Sequence, residues 1–572
     1  MPGGLLNIIA YGNQNIILNG NPSKTFFKTT YAKYTNFGIQ KFRIDFKGER
    51  DLALNEDSTF TFKLPRYAEL LMDTYLVLTL PDIYSGILPP ERENDIWKPY
   101  HFRWIKNLGT SIIKKVAFRI GGQTIQEFSG EYMKNIVERD YDESKKKMFY
   151  EMTGNTEYLH SPEYFSGRRN NYPNCFFNSS IDGPEPSLRG RKIYIPLMFW
   201  FSNSSKIAFP MVCLQYSEAE IEVTLRPIRE MFTINDIRAS FDDYPSGSIG
   251  TILYSKIRPD FSKEKHQMYR FLQPPPTIEL TENDYGDTTT SWNTDIHLIG
   301  NYAFLTNEES KIFASKEQKY LIKDIKEDVF YEIVGSKKVK LTSNALVSNW
   351  MWYFRRSDIY ERNEWSNYTN WPSSLFPYDL IAAPTETPFY LRDAENQNAA
   401  SQLFGPGRDI VSNFTGGSST VLTNHRITQT YAIENTKYIM TSCAIVIDGK
   451  YRENEMDAGI FNYIEKYRCS RGFTTQGIYN YNFCLNTSHS ELQPSGAINL
   501  SKFKNIELEF STILPAEDPN SRFRTLCDEE GDVIGTTKNK PLYRYTYELH
   551  IFEERYNILR FMGGNAGLLF AR

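Results

Sequence analysis

The strongest constraint on the fold of this chain lies between Ile195 and Pro227. Residues 219–225 alternate strictly between apolar and polar side chains, and Pro227 follows this run. A period of two is typical of a β-strand with one buried face, and proline cannot continue a hydrogen-bonded ladder. The preceding run Leu197–Phe201 is apolar throughout and predicts a strand buried on both faces. Two such successive strands predict a β-sandwich core.

The same pattern recurs along the rest of the chain. Further strands are predicted near residues 42–46, 60–64, 74–80, 116–120, 297–305, 345–354, 445–447, 506–510 and 543–551. Gly121-Gly122 and Asp448-Gly449 predict tight turns. Short strands separated by Gly and Pro are typical of sandwiches or barrels rather than of alternating strand–helix units. One helix is predicted from about Glu131 to Met152, and a shorter one begins at Asn307 with Asn307 as its cap.

The length of 572 residues exceeds what a single core serves, so two large β domains are predicted. We expect an N-terminal arm at 1–25, whose apolar pairs follow no strand or helix period. The first sandwich is predicted at 26–230, a connecting region with the start of the second domain at 231–290, and the second sandwich at 291–572. The Pro274–Pro276 run is a stiff spacer in the connection. No internal sequence repeat supports the duplication.

Residues 358–425 are rich in polar residues and have little periodicity. A loop this long is uncommon in a compact domain, so it is predicted to project from the surface of the second domain. Trp365, Tyr368, Trp371 and Tyr378 argue against disorder, because disordered segments are poor in aromatic residues. The tip of the loop either recognises a host glycan or is a solvated decoration.

Composition excludes several function classes. The net charge of −4 leaves no electrostatic footprint for coating nucleic acid. The six cysteines form no C-x-x-C pair and have no histidine at metal-ligand spacing, so they are interpreted as buried thiols in a reducing compartment. No signal peptide or apolar run of membrane length is recognised. The N-x-S/T sequons are therefore interpreted as chance occurrences.

No motif for catalysis is found. The chain lacks a phosphate-binding loop, H-E-x-x-H, G-x-S-x-G and G-x-G-x-x-G. Its seven histidines are scattered singly, and the adjacent pairs Asp242-Asp243 and Glu308-Glu309 would face opposite ways on a strand. We therefore predict no catalytic, cofactor-binding or metal-binding residues, no cofactor, and no enzymatic activity. A glycosidase built from distant carboxylates stays open as an alternative.

Several separated motifs resemble the major capsid proteins of nucleocytoplasmic large DNA viruses. The N-terminal residues match that family's opening nearly residue for residue, with Asn15 where Asp is common. The matching pieces are Gly3-Gly4-Leu5, Ala10-Tyr11-Gly12, Gly20-Asn21-Pro22, Thr25-Phe26-Phe27-Lys28, Tyr31, Thr35-Asn36-Phe37, residues 195–201 and 210–226, the strand and acidic turn at 297–309, Asp448-Gly449 with Arg452, residues 493–496, and residues 556–560 with Gly563-Gly564 and Gly567-Leu568.

The resemblance implies an all-β fold of two consecutive eight-stranded jelly-roll sandwiches (a double jelly roll) with short helices and long loops. It implies a structural capsid protein that forms homotrimeric, pseudo-hexagonal capsomers. These would tile an icosahedral shell over an internal membrane, with assembly in the host cytoplasm and localisation in the virion. Expected partners are the chain itself, neighbouring capsomers and minor capsid proteins, with the membrane involved only indirectly and no direct nucleic acid. The alternatives are a minor capsid or scaffold protein of the same fold and a receptor- or glycan-binding jelly roll.

Overall fold

The computed structural model describes residues 2–46, 48, 51–88, 98–168, 171–175, 184–235, 237, 256–276, 285–371, 410–415, 421–427, 437–473, 477–515 and 545–570, with backbone only for 410–415 and 421–427. Expectations for the turn cluster at 242–247, for Tyr378, for Cys527 and for the start of the predicted strand at 543–551 lie outside these residues. Among the described residues no helix has the length and apolar character needed to cross a membrane.

Two β-sandwiches follow one another along the chain. The strands up to residue 305 are β1 (Phe37–Ile44), β2 (Ser58–Lys63), β3 (Leu70–Thr79), β4 (Ile87–Leu88), β5 (Lys98–Pro99), β6 (Arg103–Trp104), β7 (Ile113–Ile120), β8 (Gln123–Phe128), β9 (Lys192–Pro196), β10 (Phe209–Pro210), β11 (Ala219–Leu225), β12 (Phe232–Asn235), β13 (Lys256–Ile257) and β14 (His297–Leu305).

One sheet of the first sandwich has the order β1-β14-β3-β10, with β9 also paired to β3, and the other has the order β2-β11-β7-β8. All pairs in these two sheets are antiparallel. The alternation predicted for residues 219–225 is confirmed: Ile221 and Val223 are fully buried, whereas Glu220 and Glu222 are half-buried. The glycines of the predicted β7–β8 turn, Gly121 and Gly122, both have positive φ.

The expectation of a strand at Leu197–Phe201 is wrong. Strand β9 ends at Pro196, and a 3-10 turn forms at Trp200–Ser202. The run is buried as predicted, but its backbone leaves the sheet, and the Trp200 N–H donates to the Gln126 side chain at 2.9 Å. Uniform hydrophobicity therefore indicated burial without indicating a strand, because it carries no period.

Strand β14 lies between β1 and β3, in the first sandwich. The sequence placed this segment at the start of the second domain, so that boundary is wrong by at least the length of β14. The reason is the pairing: β1 and β3 each offer β14 a full antiparallel register, for example Phe42 with Gly300. The chain thus returns to complete the first sandwich before it enters the second.

The remaining strands are β15 (Gln318–Ile333), β16 (Ser336–Leu341), β17 (Leu346–Arg356), β18 (Ile410–Thr415), β19 (Val421–Ile427), β20 (Met440–Ile447), β21 (Lys450–Asp457), β22 (Ile478–Asn482), β23 (Ile498–Asn499), β24 (Ile506–Thr512), β25 (Tyr547–Met562) and β26 (Asn565–Leu568). The second sandwich pairs the sheet β15-β25-β17-β22 with the sheet β16-β24-β20-β21. Strands β18 and β19 form a separate hairpin.

The sheet that contains β17 and β25 is buried on both faces. Leu549 and Ile551 of β25 point into the core of the second sandwich, whereas Phe552 belongs to the core of the first. For the same reason nearly all of β17 is buried, although its tryptophans suggested a simple alternation. The two sandwiches therefore share a packed boundary.

The helices are short and few in the described part of the chain. They are α1 (Leu5–Ile9), α2 (Ile16–Asn19), α3 (Leu108–Ser111), α4 (Gly130–Asp140), α5 (Glu143–Thr153), α6 (Glu157–His160), α7 (Tyr269–Leu272), α8 (Asn307–Ser315) and α9 (Glu465–Cys469). Short 3-10 turns and one π-helical turn, Ile460–Ile464, join them.

Two helix predictions need correction. The single helix expected at 131–152 is two helices, because Tyr141 is extended and Asp142 caps α5 by accepting the Lys145 N–H at 2.8 Å. The cap of α8 is Thr306 rather than Asn307: its hydroxyl accepts the Glu309 N–H. In both cases a capping residue stops or starts the helix where the apolar pattern alone does not.

Candidate functional site: the interdomain helix and the N-terminal arm

Helix α4 is buried over its whole length, although five of its eleven residues are charged. It begins at Ser129, whose hydroxyl accepts the Tyr132 N–H. The helix lies between the two sandwiches, and its side chains contact strands of the second domain. Because a buried charge without a partner is very costly, each charge on α4 requires a partner across this boundary.

Arg139 is the centre of the first group of partners. Its guanidinium donates to both carboxylate oxygens of Asp140 at 2.9 Å, to Glu554 Oε1 at 2.8 Å and to Asn349 Oδ1 at 3.0 Å. The side chains of Arg139 and Glu554 are fully buried. Asn349 closes the ring by donating to Glu554 Oε2 at 2.8 Å. We call this group, with its further members Tyr132, Lys323, Thr487 and His489, the Arg139 cluster.

The outer members of the Arg139 cluster satisfy its remaining acceptors. Thr487 donates its hydroxyl to Asp140 Oδ1 at 2.7 Å, and His489 Nδ1 lies 3.3 Å from Asp140 Oδ2. The Lys323 ammonium lies 3.5 Å from Glu554 Oε2. Burial alone would raise the pKa of Glu554, but the charges of Arg139 and Lys323 outweigh it and hold that pKa at about 2. The same balance, with Arg139 dominant, holds the pKa of Asp140 well below its ordinary range.

A second group surrounds Glu131, in the first turn of α4. Glu131 Oε1 accepts from Arg226 at 3.2 Å and from Arg355 at 2.9 Å, and Oε2 accepts the Tyr353 hydroxyl. Arg355 also donates to Glu548 at 2.8 Å. Burial opposes ionisation of Glu131, yet Arg355 foremost lowers its pKa to about 2. We call these residues the Glu131 cluster; it links one first-domain arginine with one second-domain arginine through a single carboxylate.

Within the described residues, the geometry nearest to a metal centre is formed by Glu131, Glu327 and His550, which each offer a ligand atom within 4.8 Å of the others. Both oxygens of Glu131 are already engaged by two guanidinium groups and a hydroxyl. His550 Nδ1 lies 3.0 Å from Glu327 and its ring stacks on Tyr353. A cation would compete with two fixed arginine charges, so this donor set fits ion pairing rather than a metal.

The first part of the loop predicted at 358–425 is not a surface projection. Trp365, Tyr368 and Trp371 are buried. Trp365 covers the guanidinium of Arg226 with 4.0 Å to its ring centroid, and Tyr368 stacks on Tyr353 at 4.0 Å. The tryptophan and tyrosine spacing signalled order, as expected, but these rings seal the domain boundary. The part from 372 onward lies outside the described residues, except for the backbone of the β18–β19 hairpin.

The N-terminal arm shows the opposite surroundings. None of its described residues, 2–36, is buried. The exposed fractions reach 84% for Ile17, 87% for Leu18 and 99% for Phe27. It leads into β1, an edge strand whose Phe37 and Ile39 are more than half exposed. A contiguous apolar surface of this kind is typical of a contact with another molecule.

The sequence predicted no site residues, and the residues that build the boundary were not singled out. Asp140, Arg139 and Glu554 read as ordinary surface charges because their positions alternate with apolar ones in a normal way. Only one signal was available for this boundary: the charged residues of β25 fall in the longest and most regular strand pattern of the chain. The arm, in contrast, was recognised from its apolar density.

Comparison with known proteins addresses what such a boundary and arm belong to. Residues 25–253 match the family model described as major capsid protein N-terminus, and residues 309–567 match the model described as large eukaryotic DNA virus major capsid protein. The chain belongs to this major capsid protein family. The two models meet on either side of β14 and cover the two sandwiches separately.

Relatives of this capsid protein agree in length and fold. The major capsid protein of Phaeocystis pouchetii virus is 24% identical, and the alignment covers 100% of both chains. The Faustovirus major capsid protein has a TM-score of 0.58 at 13% identity, covering 98% of this chain and 96% of that one. The PBCV-1 virus capsid gives a TM-score of 0.57 at 18% identity, covering 96% and 100%. The fold is the double jelly roll expected from the sequence.

The family assigns the chain a structural role in the icosahedral capsid, and its localisation is the virion shell. The expected contact with further copies of itself agrees with that role. The names of the relatives are those of capsid proteins and not of enzymes. The paired sandwiches, held at a fixed angle by buried charges, provide the kind of stiff unit from which a closed shell is built.

Proposed function

We propose that three copies of this chain form a pseudo-hexagonal capsomer that tiles the shell of a large double-stranded DNA virus. Each chain carries two sandwiches, so three chains present six similar walls to their neighbours. The observation that carries the proposal is the buried α4 boundary, because a tile transmits its neighbours' positions only if its two halves cannot rotate. The Arg139 and Glu131 clusters supply directional bonds that oppose such rotation.

The second domain offers an apolar surface for the contact between copies. Tyr463, Ile464 and Tyr467 lie within one helical turn of each other, and their exposed fractions are 50%, 54% and 93%. Aromatic residues at such positions dominate protein interfaces. Changing Tyr467→Glu is expected to shift the solution mass from trimer towards monomer, whereas Tyr331→Glu, at a residue 63% exposed on β15, leaves the trimer intact.

Light scattering of the purified chain at high and low dilution tests the capsomer itself. A stable trimer at all concentrations is the expected result. A monomer at every concentration would contradict the proposal and give weight to the receptor-binding alternative, in which the loop beyond residue 371 contacts a host glycan.

The arm is proposed to join capsomers rather than to hold one together. Deleting residues 2–24 should leave a folded trimer that no longer forms ordered arrays, because these residues contact nothing buried in their own chain. Electron microscopy of the arrays and light scattering of the trimer separate the two effects. Monomeric or insoluble protein after the deletion would show instead that the arm belongs to the trimer core.

The remaining partners are proposed on weaker grounds of the same kind. Minor capsid proteins would bind beneath the capsomers, and the internal membrane would be reached through them. Assembly is proposed in the host cytoplasm, which suits the reduced cysteines Cys175, Cys213, Cys443, Cys469 and Cys484. Direct nucleic-acid binding and enzymatic activity are not part of the proposed function. A minor capsid or scaffold role of the same fold would differ only in copy number, which quantitative mass spectrometry of virions measures.

A further inference from the structure

Lys466, in α9, has unusual surroundings for a lysine. Its side chain is buried, with 5% of the residue exposed. In the described part of the chain its Nζ has one hydrogen-bond partner, Asn462 Oδ1 at 3.0 Å, and no carboxylate lies within ion-pairing distance. Lysine is almost never fully buried unless it is paired with an opposite charge. The amine of Lys466 therefore requires another explanation than a salt bridge.

The charges around Lys466 disfavour its protonated form. Burial lowers its pKa well below the ordinary lysine value; Glu138 opposes this shift, while the cations Arg139, Lys134 and Lys146 reinforce it. A lysine that is desolvated and placed beside other cations is held as a neutral amine, which is a nucleophile. A nucleophile in contact with an amide carbonyl can react with it.

Asn462 supplies that carbonyl. It lies one helical turn before Lys466, at the i and i+4 spacing that brings side chains together on one face. Only 4% of Asn462 is exposed, so the pair is shielded from water. Within the helical segment the two side chains are held by the π-helical turn Ile460–Ile464 and by α9, which follows it directly.

We propose that Lys466 and Asn462 join in an intramolecular isopeptide bond. The Lys466 Nζ lone pair attacks the Asn462 side-chain carbonyl carbon, and a new C–N bond forms. The bond from that carbon to the amide nitrogen breaks. One proton of the attacking amine passes to the departing nitrogen, which leaves as ammonia. No oxidation or reduction occurs and no co-reactant is needed.

The reaction needs to occur once per chain, so a slow step suffices. Amides resist amines in water, but fixed proximity raises the effective concentration of the amine by orders of magnitude. Exclusion of water removes hydrolysis as a competitor. The product would close a covalent ring across one turn of the segment that packs beside α4.

The chain contains its own control. Lys340 Nζ donates to Asn505 Oδ1 at 2.8 Å, the same atom pair at a slightly shorter distance, but on an exposed edge strand. Water there solvates the ammonium group and competes for the carbonyl. Proximity alone would predict a bond at both sites, whereas proximity together with burial predicts it only at Lys466.

Peptide mapping of the purified full-length chain by mass spectrometry tests the bond. The intact mass should be about 17 Da below the sequence mass, the loss of one ammonia. Trypsin should fail to cut after Lys466, which gives a single peptide of residues 453–468 with the same deficit and no fragment ions between Asn462 and Lys466. Cleavage after Lys340 should proceed normally. The variant Lys466→Met should regain the full mass.

Two results would overturn the proposal. One is an intact chain of full sequence mass that trypsin cuts after Lys466. The other is the same mass deficit with normal cleavage after Lys466, which would identify a cyclic imide at Asn462 instead. The map of the unaltered chain decides between these outcomes even if the Lys466→Met variant does not fold.

Discussion

Helix α4 and the N-terminal arm have opposite compositions and opposite surroundings. The helix is rich in charge, yet every one of its residues is buried. The arm is rich in Leu, Ile and Phe, yet none of its described residues is buried. What differs is the partner: the second domain supplies a counter-charge or hydrogen-bond partner to the charges of the helix, whereas the chain contains no groove filled by the arm. Burial in this protein follows complementarity, and hydrophobicity alone predicts it poorly.

The contrast is tested most severely at Arg139. The change Arg139→Met leaves Glu554 and Asp140 as buried carboxylates without their main cation, and we expect it to destabilise the fold by about 3–5 kcal/mol. The measurement is the shift in the denaturation midpoint. In the matched change Lys63→Met, at an ion pair whose members are both 70% exposed, we expect no measurable shift. Similar small shifts for both would show that the boundary does not depend on its charges.

Lys134 gives a pH-dependent form of the same test. It lies fully buried in α4 with its ammonium over the Tyr368 ring at 4.1 Å. Burial lowers its pKa from 10.5 to about 8, against the partial opposition of Glu138. Between these values the unfolded chain binds a proton that the folded chain does not, so stability rises as pH rises through this window. From about pH 7 to about pH 9.5 the gain from this group is ~2 kcal/mol.

The measurement compares the wild type with Lys134→Met by denaturation at both pH values. The stability of the wild type relative to the variant should improve at the higher pH. Lys134→Arg is the control, because a guanidinium stays charged throughout this range. An equal difference at both pH values for Lys134→Met would mean that Lys134 does not titrate in the window.

The smallest effect is expected in the arm. Phe26 and Phe27 are 87% and 99% exposed, so the double change to Ser should alter the unfolding free energy by less than about 0.5 kcal/mol. Array formation should nevertheless be reduced. The reference is Phe118→Ser in the core of the first sandwich, where we expect a loss of about 3–5 kcal/mol. A large loss of stability in the arm variant would place these rings in a contact within the chain.

Sequence patterns predicted the strands whose two faces differ. Residues 219–225 and 506–510 alternate because one side meets a core and the other meets water or charged neighbours. They did not predict the path of Leu197–Phe201, where every side chain is buried and no period exists. Nor did they predict the partner of β14, since an apolar strand pairs equally well with either sandwich and only the tertiary register decides.

The charged boundary was not predictable for a related reason. A buried arginine and a solvated arginine have the same local sequence signature, and Arg139 lies 415 positions from Glu554. The family resemblance gave the architecture and the role but not this network. The tight turn at Asp448-Gly449 shows the reverse case: both residues adopt positive φ, and the dipeptide alone announced it.

The position of β14 has a consequence for the order of events during synthesis. When residue 290 leaves the ribosome, the sheet of the first sandwich lacks the strand between β1 and β3, and both exposed ladders can pair with other chains. The first half becomes a closed unit only once residue 305 is available. A nascent chain stalled shortly before that point is therefore a target for chaperones, and a fragment ending at residue 290 will aggregate where one ending beyond α8 folds.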